Sequence, residues 1–104
     1  MRYSRMYDIV LSTSSIHYLS KLSKSDCRHV KEVLALCLGE YLNVVSKRCN
    51  KKLLKGSKEG TFRLHISMTH TVFYRVDMDA KRVYVDLIMG INQAHGKYGL
   101  FCLF

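Results

Sequence analysis

Cationic and titratable side chains cluster in the middle of the sequence. Six lysines and arginines precede Glu59 without an intervening acid: Lys47, Arg48, Lys51, Lys52, Lys55 and Lys58. Residues 61–66 then alternate with period two, which places Arg63 and His65 on one face of a predicted strand. Such neighbours lie about 6.6 Å apart, roughly the span of a phosphodiester and its adjacent hydroxyl. The pattern predicts acid–base groups beside a surface that attracts phosphate.

The whole chain is strongly basic. It has 17 Lys and Arg against 8 Asp and Glu in 104 residues, a net charge of +9. A basic face that only keeps the protein soluble is one interpretation, but clustered cations favour nucleic acid or ribosome contact. The basic residues do not follow one face of an amphipathic helix, and no apolar run reaches the roughly 20 residues of a membrane span. With no secretory signal evident at the start, we expect a cytoplasmic protein without a membrane partner.

The cysteines give no metal pattern. Cys27, Cys37, Cys49 and Cys102 form no Cys-x-x-Cys pair and no zinc-ligand spacing. Cys37 falls on the apolar stripe of a predicted helix, where a thiol acts as a small hydrophobe. The sequence therefore predicts reduced thiols, no metal and no cofactor.

The first half of the chain is predicted to be a strand followed by two helices. Residues 7–11 are typical of a strand, and Ser14 or Ser15 is suited to cap a short helix. Ser25 is suited to cap a second helix, whose apolar residues recur at helical spacing as far as Leu42. Because few residues separate the two helices, we expect an antiparallel helical hairpin.

The second half has the period of strands. The predicted strands are residues 52–55, 62–67, 71–77 and 82–89. Each has one apolar face, so we expect an α+β fold in which the N-terminal helical hairpin packs on one side of a twisted antiparallel sheet. The other side is left for function. The predicted core comprises Val33, Leu34, Cys37, Leu38, Phe62 or Leu64, Val72, Tyr74, Val83 and Val85.

Three segments carry a resemblance to a known family. They are Leu54-Lys55-Gly56, then residues 60–66 (Gly-Thr-Phe-Arg-Leu-His-Ile), then residues 72–77 (Val-Phe-Tyr-Arg-Val-Asp). Their order and spacing resemble the RelE/ParE superfamily of toxins from type II toxin–antitoxin modules. The resemblance covers residues 7–98 and implies a single RelE-like domain over residues 1–104, with an apolar tail at 99–104.

The resemblance implies an activity and partners. RelE, YoeB and YafQ are ribosome-dependent mRNA endoribonucleases, whereas ParE poisons DNA gyrase. A metal-independent endoribonuclease that inhibits translation is therefore expected, in which a ribose 2′-hydroxyl attacks the adjacent phosphorus. A cognate antitoxin, mRNA and the ribosome are the implied partners, in a homodimer or a toxin–antitoxin hetero-oligomer.

The same resemblance suggests residue roles. Arg63 matches a lysine of RelE on the same strand and is expected to bind the phosphate, and His65 matches a catalytic histidine of YafQ. His70 matches a histidine of YoeB, while His95 and Tyr98 fall near C-terminal catalytic residues of the family. Four lysines are expected to orient RNA: Lys51, Lys52, Lys55 and Lys58.

The sequence departs from the family pattern at catalytic positions. Thr71 and Asn92 stand where active members carry arginines, and Lys52 stands near the place of a general-base glutamate in YoeB. Loss of one such cation costs about two orders of magnitude in rate. The alternative is therefore a binding protein: a catalytically inactive relative, a ParE-like gyrase inhibitor or a basic RNA-binding module.

Overall fold

The computed structural model describes residues 7–40, 49–54, 60–67 and 69–90. Strand β1 is followed by helices α1 and α2, a π-helical segment and four further strands. Their bounds are β1 Asp8–Leu11, α1 Thr13–Ser20, α2 Lys24–Leu34, π-helical segment Ala35–Glu40, β2 Asn50–Leu53, β3 Phe62–Ile66, β4 His70–Asp77 and β5 Arg82–Gly90.

The five strands form one sheet in the order β1-β5-β4-β3-β2. Strands β2 to β5 pair antiparallel, which confirms the predicted α+β fold and its C-terminal strands. Strand β1 departs from the expected antiparallel sheet because it pairs parallel to β5, with Ile9 opposite Val83. The chain between these strands contains both helices, so no tight hairpin turn requires them to run antiparallel.

Serine side chains begin both helices. The Ser12 hydroxyl accepts a hydrogen bond from the Ser15 amide, and the Ser23 hydroxyl accepts one from the Asp26 amide, each at 3.1 Å. Ser12 also donates to the carbonyl of Asp86 at 2.8 Å, which ties the start of α1 to β5. The predicted caps, Ser14 or Ser15 and Ser25, were wrong by about one half-turn because each lies close to another serine in extended backbone.

The main core lies between the helices and one face of the sheet. The predicted core is confirmed, since the residues named from the sequence are buried there, with Leu64 rather than Phe62 fully enclosed. The sequence-based prediction omitted several members, including Val30, Ile66 and Ile88. Among the described residues, no helix has both the length and the apolar character needed to cross a membrane.

A disulfide contradicts the prediction of reduced thiols. Cys37 in the π-helical segment is bonded to Cys49, which directly precedes β2, with a Cα–Cα distance of 5.5 Å. The two residues are 12 apart in sequence, and their contact depends on how the helices pack on the sheet edge. Cys27 in α2 is a free, half-buried thiol, and Cys102 lies outside the described residues.

Candidate functional site

The sheet face opposite the helices, called here the open face, is exposed at Lys52 and buried at Thr71 and Phe73. It brings together part of the predicted site. Arg63 and His65 alternate with the buried Leu64 on β3, so both side chains lie on this face. The strand register places Lys52 opposite Arg63 and Thr71 opposite His65. The structure thus groups a guanidinium, an ammonium and an imidazole along two adjacent strands.

Thr71 holds the His65 ring. Nδ1 of His65 lies 2.8 Å from the Thr71 hydroxyl, within hydrogen-bond distance. Thr71 is completely buried, which confines its hydroxyl. A hydrogen bond to one ring nitrogen sets the orientation of an imidazole and the tautomer it adopts. The sequence shows Thr71 only as a departure from an arginine of the resembled family and does not predict this contact with His65.

Arg63 is anchored to the neighbouring strand. Its Nη1 donates to the main-chain oxygen of Asn50 at 3.4 Å and to the Asn50 side-chain oxygen at 3.3 Å. Lys52, which is exposed, lies directly across the strand pair from Arg63. Like charges in this arrangement repel each other, so an anion bound between them would relieve the repulsion. The two cations therefore give this part of the open face a positive potential.

Arg75 has a different role on the same face. It makes a two-point ion pair with Asp86, at 2.6 Å from Nε and 2.9 Å from Nη2, and its Cζ lies 5.7 Å from the centroid of the Tyr84 ring. The register between β4 and β5 shifts at Phe73 and Tyr74, where Asp86 is the extra residue of β5. Arg75 is thus neutralised locally, a pairing that sequence reasoning did not anticipate.

An apolar wall adjoins these polar groups. Phe73 lies across from Arg63 on β4, is completely buried, and packs with Leu54, Met89 and the half-buried Leu87. Sequence reasoning assigned this face to polar residues. The continuous apolar runs at residues 72–74 and 87–89 are typical of strands buried on both faces and were an available signal.

His70 lies on the other side of the sheet. It pairs with Ile66, is 6% exposed, and faces the helices, where its Nδ1 lies 2.8 Å from the Tyr18 hydroxyl. The two rings meet edge to face. Burial lowers the pKa of His70, an effect opposed by the charge of Asp26 and reinforced by His29. The structure therefore separates His70 from Arg63 and His65.

Lys51 also belongs to the helix side. It is buried, its Nζ donates to the Cys37 carbonyl at 3.1 Å, and burial lowers its pKa. Its predicted partner in orienting RNA, Lys52, points to the open face, so the two do not act together. Lys55, Lys58, His95 and Tyr98 lie outside the described residues. In the described part of the chain, no three His, Cys, Asp or Glu side chains cluster as a metal site requires.

The fold is that of RelE-type toxins. The chain is similar to the RelE–RelB complex of Pyrococcus horikoshii, with a TM-score of 0.66, 19% identity and coverage of 82% of this chain and 94% of that one. It is also similar to the toxin–antitoxin complex RelBE2 of Mycobacterium tuberculosis, with a TM-score of 0.67, 23% identity and coverage of 81% and 96%.

A third solved structure has the same architecture. It is a metal-bound toxin from Helicobacter pylori, with a TM-score of 0.63, 11% identity and coverage of 85% of this chain and 98% of that one. At the level of sequence, no protein-family model and no curated protein matches the chain.

Proposed function

We propose that the chain is the toxin of a toxin–antitoxin module and cleaves mRNA on the ribosome, with the open face as its active surface. The observation that carries the proposal is the pair Arg63 and His65 on one strand face, with Lys52 beside the arginine and Thr71 holding the histidine. A phosphate-binding cation pair next to an oriented imidazole suits phosphodiester cleavage. Action on translating ribosomes would take place in the cytoplasm.

The proposed reaction is a transfer within one nucleotide. The ribose 2′-oxygen forms a bond to the adjacent phosphorus as the bond from phosphorus to the 5′-oxygen breaks, leaving a cyclic phosphate and a 5′-hydroxyl. Arg63 and Lys52 would stabilise the negative charge that develops on the phosphate oxygens. His65 would carry one of the two proton transfers, because an imidazole exchanges protons near neutral pH. His95 or Tyr98 is proposed for the other transfer, on sequence resemblance alone.

The first test compares two histidine variants. Wild-type chain expressed in a bacterial host should arrest growth and leave mRNA cut at ribosomal A-site codons. His65→Ala should reduce cleavage by about 100-fold or more while the protein stays folded. His17→Ala is the matched control, because His17 is an exposed residue of α1 away from the open face. Undiminished cleavage by His65→Ala would remove this residue from the mechanism.

A binding-only function is the second candidate. Two points favour it: on the sequence resemblance, Thr71 stands where active members carry an arginine, and the structure shows Arg75 neutralised by Asp86. If the wild-type chain neither cuts mRNA nor stops growth through translation, gyrase supercoiling assays will test a ParE-like action. Inhibition of supercoiling, lost on Arg63→Ala, would support this candidate over the ribonuclease.

A groove on the helical hairpin supports an antitoxin partner. It is an open depression of about 670 Å³ between α1 and α2, with Leu19, Leu22 and Cys27 among its apolar lining. Lys24, Arg28, Lys31 and Glu32 also line it. An amphipathic antitoxin segment with acidic residues would complement this lining in both polarity and charge.

Charge reversal tests the groove. Arg28→Glu combined with Lys31→Glu should weaken antitoxin binding at least tenfold, because two attractive charges become repulsive. The matched control is Lys81→Glu together with Arg82→Glu, which makes the same charge change at the end of the β4–β5 turn and the first residue of β5. Equal weakening by both pairs would show that net charge, and not the groove, determines antitoxin affinity.

A further inference from the structure

Strand β2 is fastened to the helices at its start. It is the edge strand of the described sheet and pairs with β3. On its helix side, the disulfide joins Cys49 to Cys37, and Lys51 Nζ donates to the carbonyl of the same Cys37. A covalent bond and a hydrogen bond therefore connect one residue of the π-helical segment to the beginning of β2.

The same end of β2 contacts the candidate site. Asn50 follows Cys49 directly and offers two oxygen atoms, one main-chain and one side-chain, to Nη1 of Arg63. A continuous path runs from Cys37 through the disulfide to Cys49, along one peptide bond to Asn50, and by hydrogen bonds to Arg63. A shift of Cys49 relative to the helices would move the acceptors that hold the guanidinium.

We propose that Asn50 is a positioning residue for Arg63, and that the Cys37–Cys49 disulfide makes this positioning dependent on redox state. The expected effect on RNA binding rests on the proposed function, in which Arg63 binds phosphate. With the disulfide intact, the guanidinium is held over the open face. With the disulfide reduced, the start of β2 is released from the helices and Arg63 binds phosphate less well.

The redox step is thiol–disulfide exchange with a dithiol. One thiolate of the dithiol attacks a protein sulfur, the Cys37–Cys49 bond breaks, and a mixed disulfide forms. That first attack releases the other protein sulfur as a thiolate. The second thiol of the dithiol then attacks the mixed disulfide and displaces the protein sulfur bound in it, so the chain gains two electrons and two protons while the dithiol becomes a cyclic disulfide. Cys37 is 0% and Cys49 3% exposed, so attack requires local opening of this region and reduction is slow in the folded chain.

The redox state of this disulfide would depend on conditions in the cell. Reducing systems keep most cytoplasmic thiols reduced. A toxin that acts on ribosomes in that compartment would therefore bind RNA most tightly after oxidation of these two cysteines. The proposal accordingly assigns higher RNA affinity to the oxidised chain.

The first arm of the experiment is structural and uses no RNA. The full chain carrying Cys27→Ser and Cys102→Ser is compared before and after complete reduction by dithiothreitol, with thiol titration to confirm two free thiols. Amide hydrogen exchange in β2 and at Arg63 should accelerate by about tenfold or more on reduction. Exchange at Tyr84, on β5, should not change. Unchanged exchange in β2 after full reduction would overturn the inference, whatever RNA does.

The second arm measures affinity for a fluorescent single-stranded RNA oligonucleotide. Reduction should weaken binding about tenfold, as should Asn50→Ala in the oxidised chain, and reoxidation should restore the wild-type value. Because both changes act through Arg63, reduction should add little to Asn50→Ala. A purely structural role for the disulfide would instead leave the two effects additive, which would overturn the proposal.

Two results separate this inference from the proposed function. If neither redox form binds RNA but reduction still accelerates exchange at β2 and Arg63, the positioning stands and the RNA function fails. If reduction unfolds the whole chain, oxidised Asn50→Ala decides the matter, because it keeps the disulfide. Weakened RNA binding at an unchanged melting temperature would then support the positioning role, and full affinity would refute it.

Discussion

Replacing Tyr18 by phenylalanine removes a single hydroxyl from the helix–sheet interface. That hydroxyl lies 2.8 Å from Nδ1 of His70, a side chain that is almost completely buried. Phenylalanine keeps the ring and its edge-to-face contact with the imidazole. The substitution therefore isolates the hydrogen bond that ties α1 to the start of β4.

The expected loss follows from what His70 is left with. A net hydrogen bond contributes about 0.5–1.5 kcal/mol, and a buried group left without a partner costs about 1–3 kcal/mol. Tyr18 itself is half-buried, so water can replace part of the lost contact. We expect Tyr18→Phe to lower the free energy of unfolding by about 1–2 kcal/mol. For a domain of this size, that corresponds to a fall in melting temperature of roughly 5–15 °C.

The pH dependence of stability provides a second readout on His70. Burial lowers the pKa of His70 below its usual value of about 6.5. Near pH 6.5, His70 is therefore protonated in a larger fraction of unfolded chains than of folded chains. The contribution of His70 to the free energy of unfolding is fully present above that pH. It falls as the pH drops through about 6.5 and levels off once the folded histidine also protonates. His70→Asn should remove this part of the slope.

Urea unfolding at pH 7.5 and pH 5.5 measures both effects. Tyr84→Phe is the matched control, because the ring of Tyr84, and not its hydroxyl, faces Arg75. Tyr18→Phe should leave RNA cleavage intact below its melting temperature, since His70 is on the helix side of the sheet. A stability equal to wild type would refute the hydrogen-bond reasoning. A 100-fold loss of cleavage in folded Tyr18→Phe would indicate that His70 takes part in catalysis.

Three further substitutions test the packing and the site. Thr71→Val should lower RNA cleavage about tenfold with a modest loss of stability, because His65 loses the partner that orients it; single-turnover cleavage rates check this. Asp86→Asn should change the free energy of unfolding by less than about 1 kcal/mol, because the Arg75–Asp86 side chains are 40% and 35% exposed and screened by solvent; urea titrations at low and high salt measure it. Leu64→Ala should cost about 2–5 kcal/mol by opening a cavity in the main core, and calorimetry would reveal a smaller value if the site collapses.

The strands and the core could be predicted because burial on one face imposes a period of two. Leu64 and Ile66 on β3, and Val83 and Val85 on β5, follow that period without interruption. The helices were predictable for the same reason at a period of 3.6, but the predicted second helix, drawn as far as Leu42, was wrong at its end because α2 stops at Leu34 and a π-helical segment follows. Their first residues were less predictable, since several neighbouring serines offer equivalent caps and only backbone conformation distinguishes them.

The position of His70 shows why the site was only partly predictable. Arg63 and His65 lie on one strand, so their shared face follows from their spacing. His70 comes after a turn, and its face depends on the register between β3 and β4. That register places it opposite Ile66, and a shift of one residue would have reversed its side. The Cys37–Cys49 disulfide was hidden for a similar reason, because tertiary packing and not spacing brings its sulfurs together.

Thr71 stands where the family that the sequence resembles carries an arginine, and here it contacts His65. Its side chain is completely buried between the partner positions of His65 and Met89. An arginine there would replace the hydroxyl that holds His65 and would place its charge beside Met89, the apolar partner of Thr71 on β5. The apolar surroundings therefore favour a small, uncharged side chain at position 71, and threonine there can also hold His65. Under the proposed function, Arg63 and Lys52 would bind phosphate, and the His65 imidazole, oriented by the Thr71 hydroxyl, would transfer a proton. On that proposal, the departure from the family pattern at this position would be a rearrangement of the site around His65.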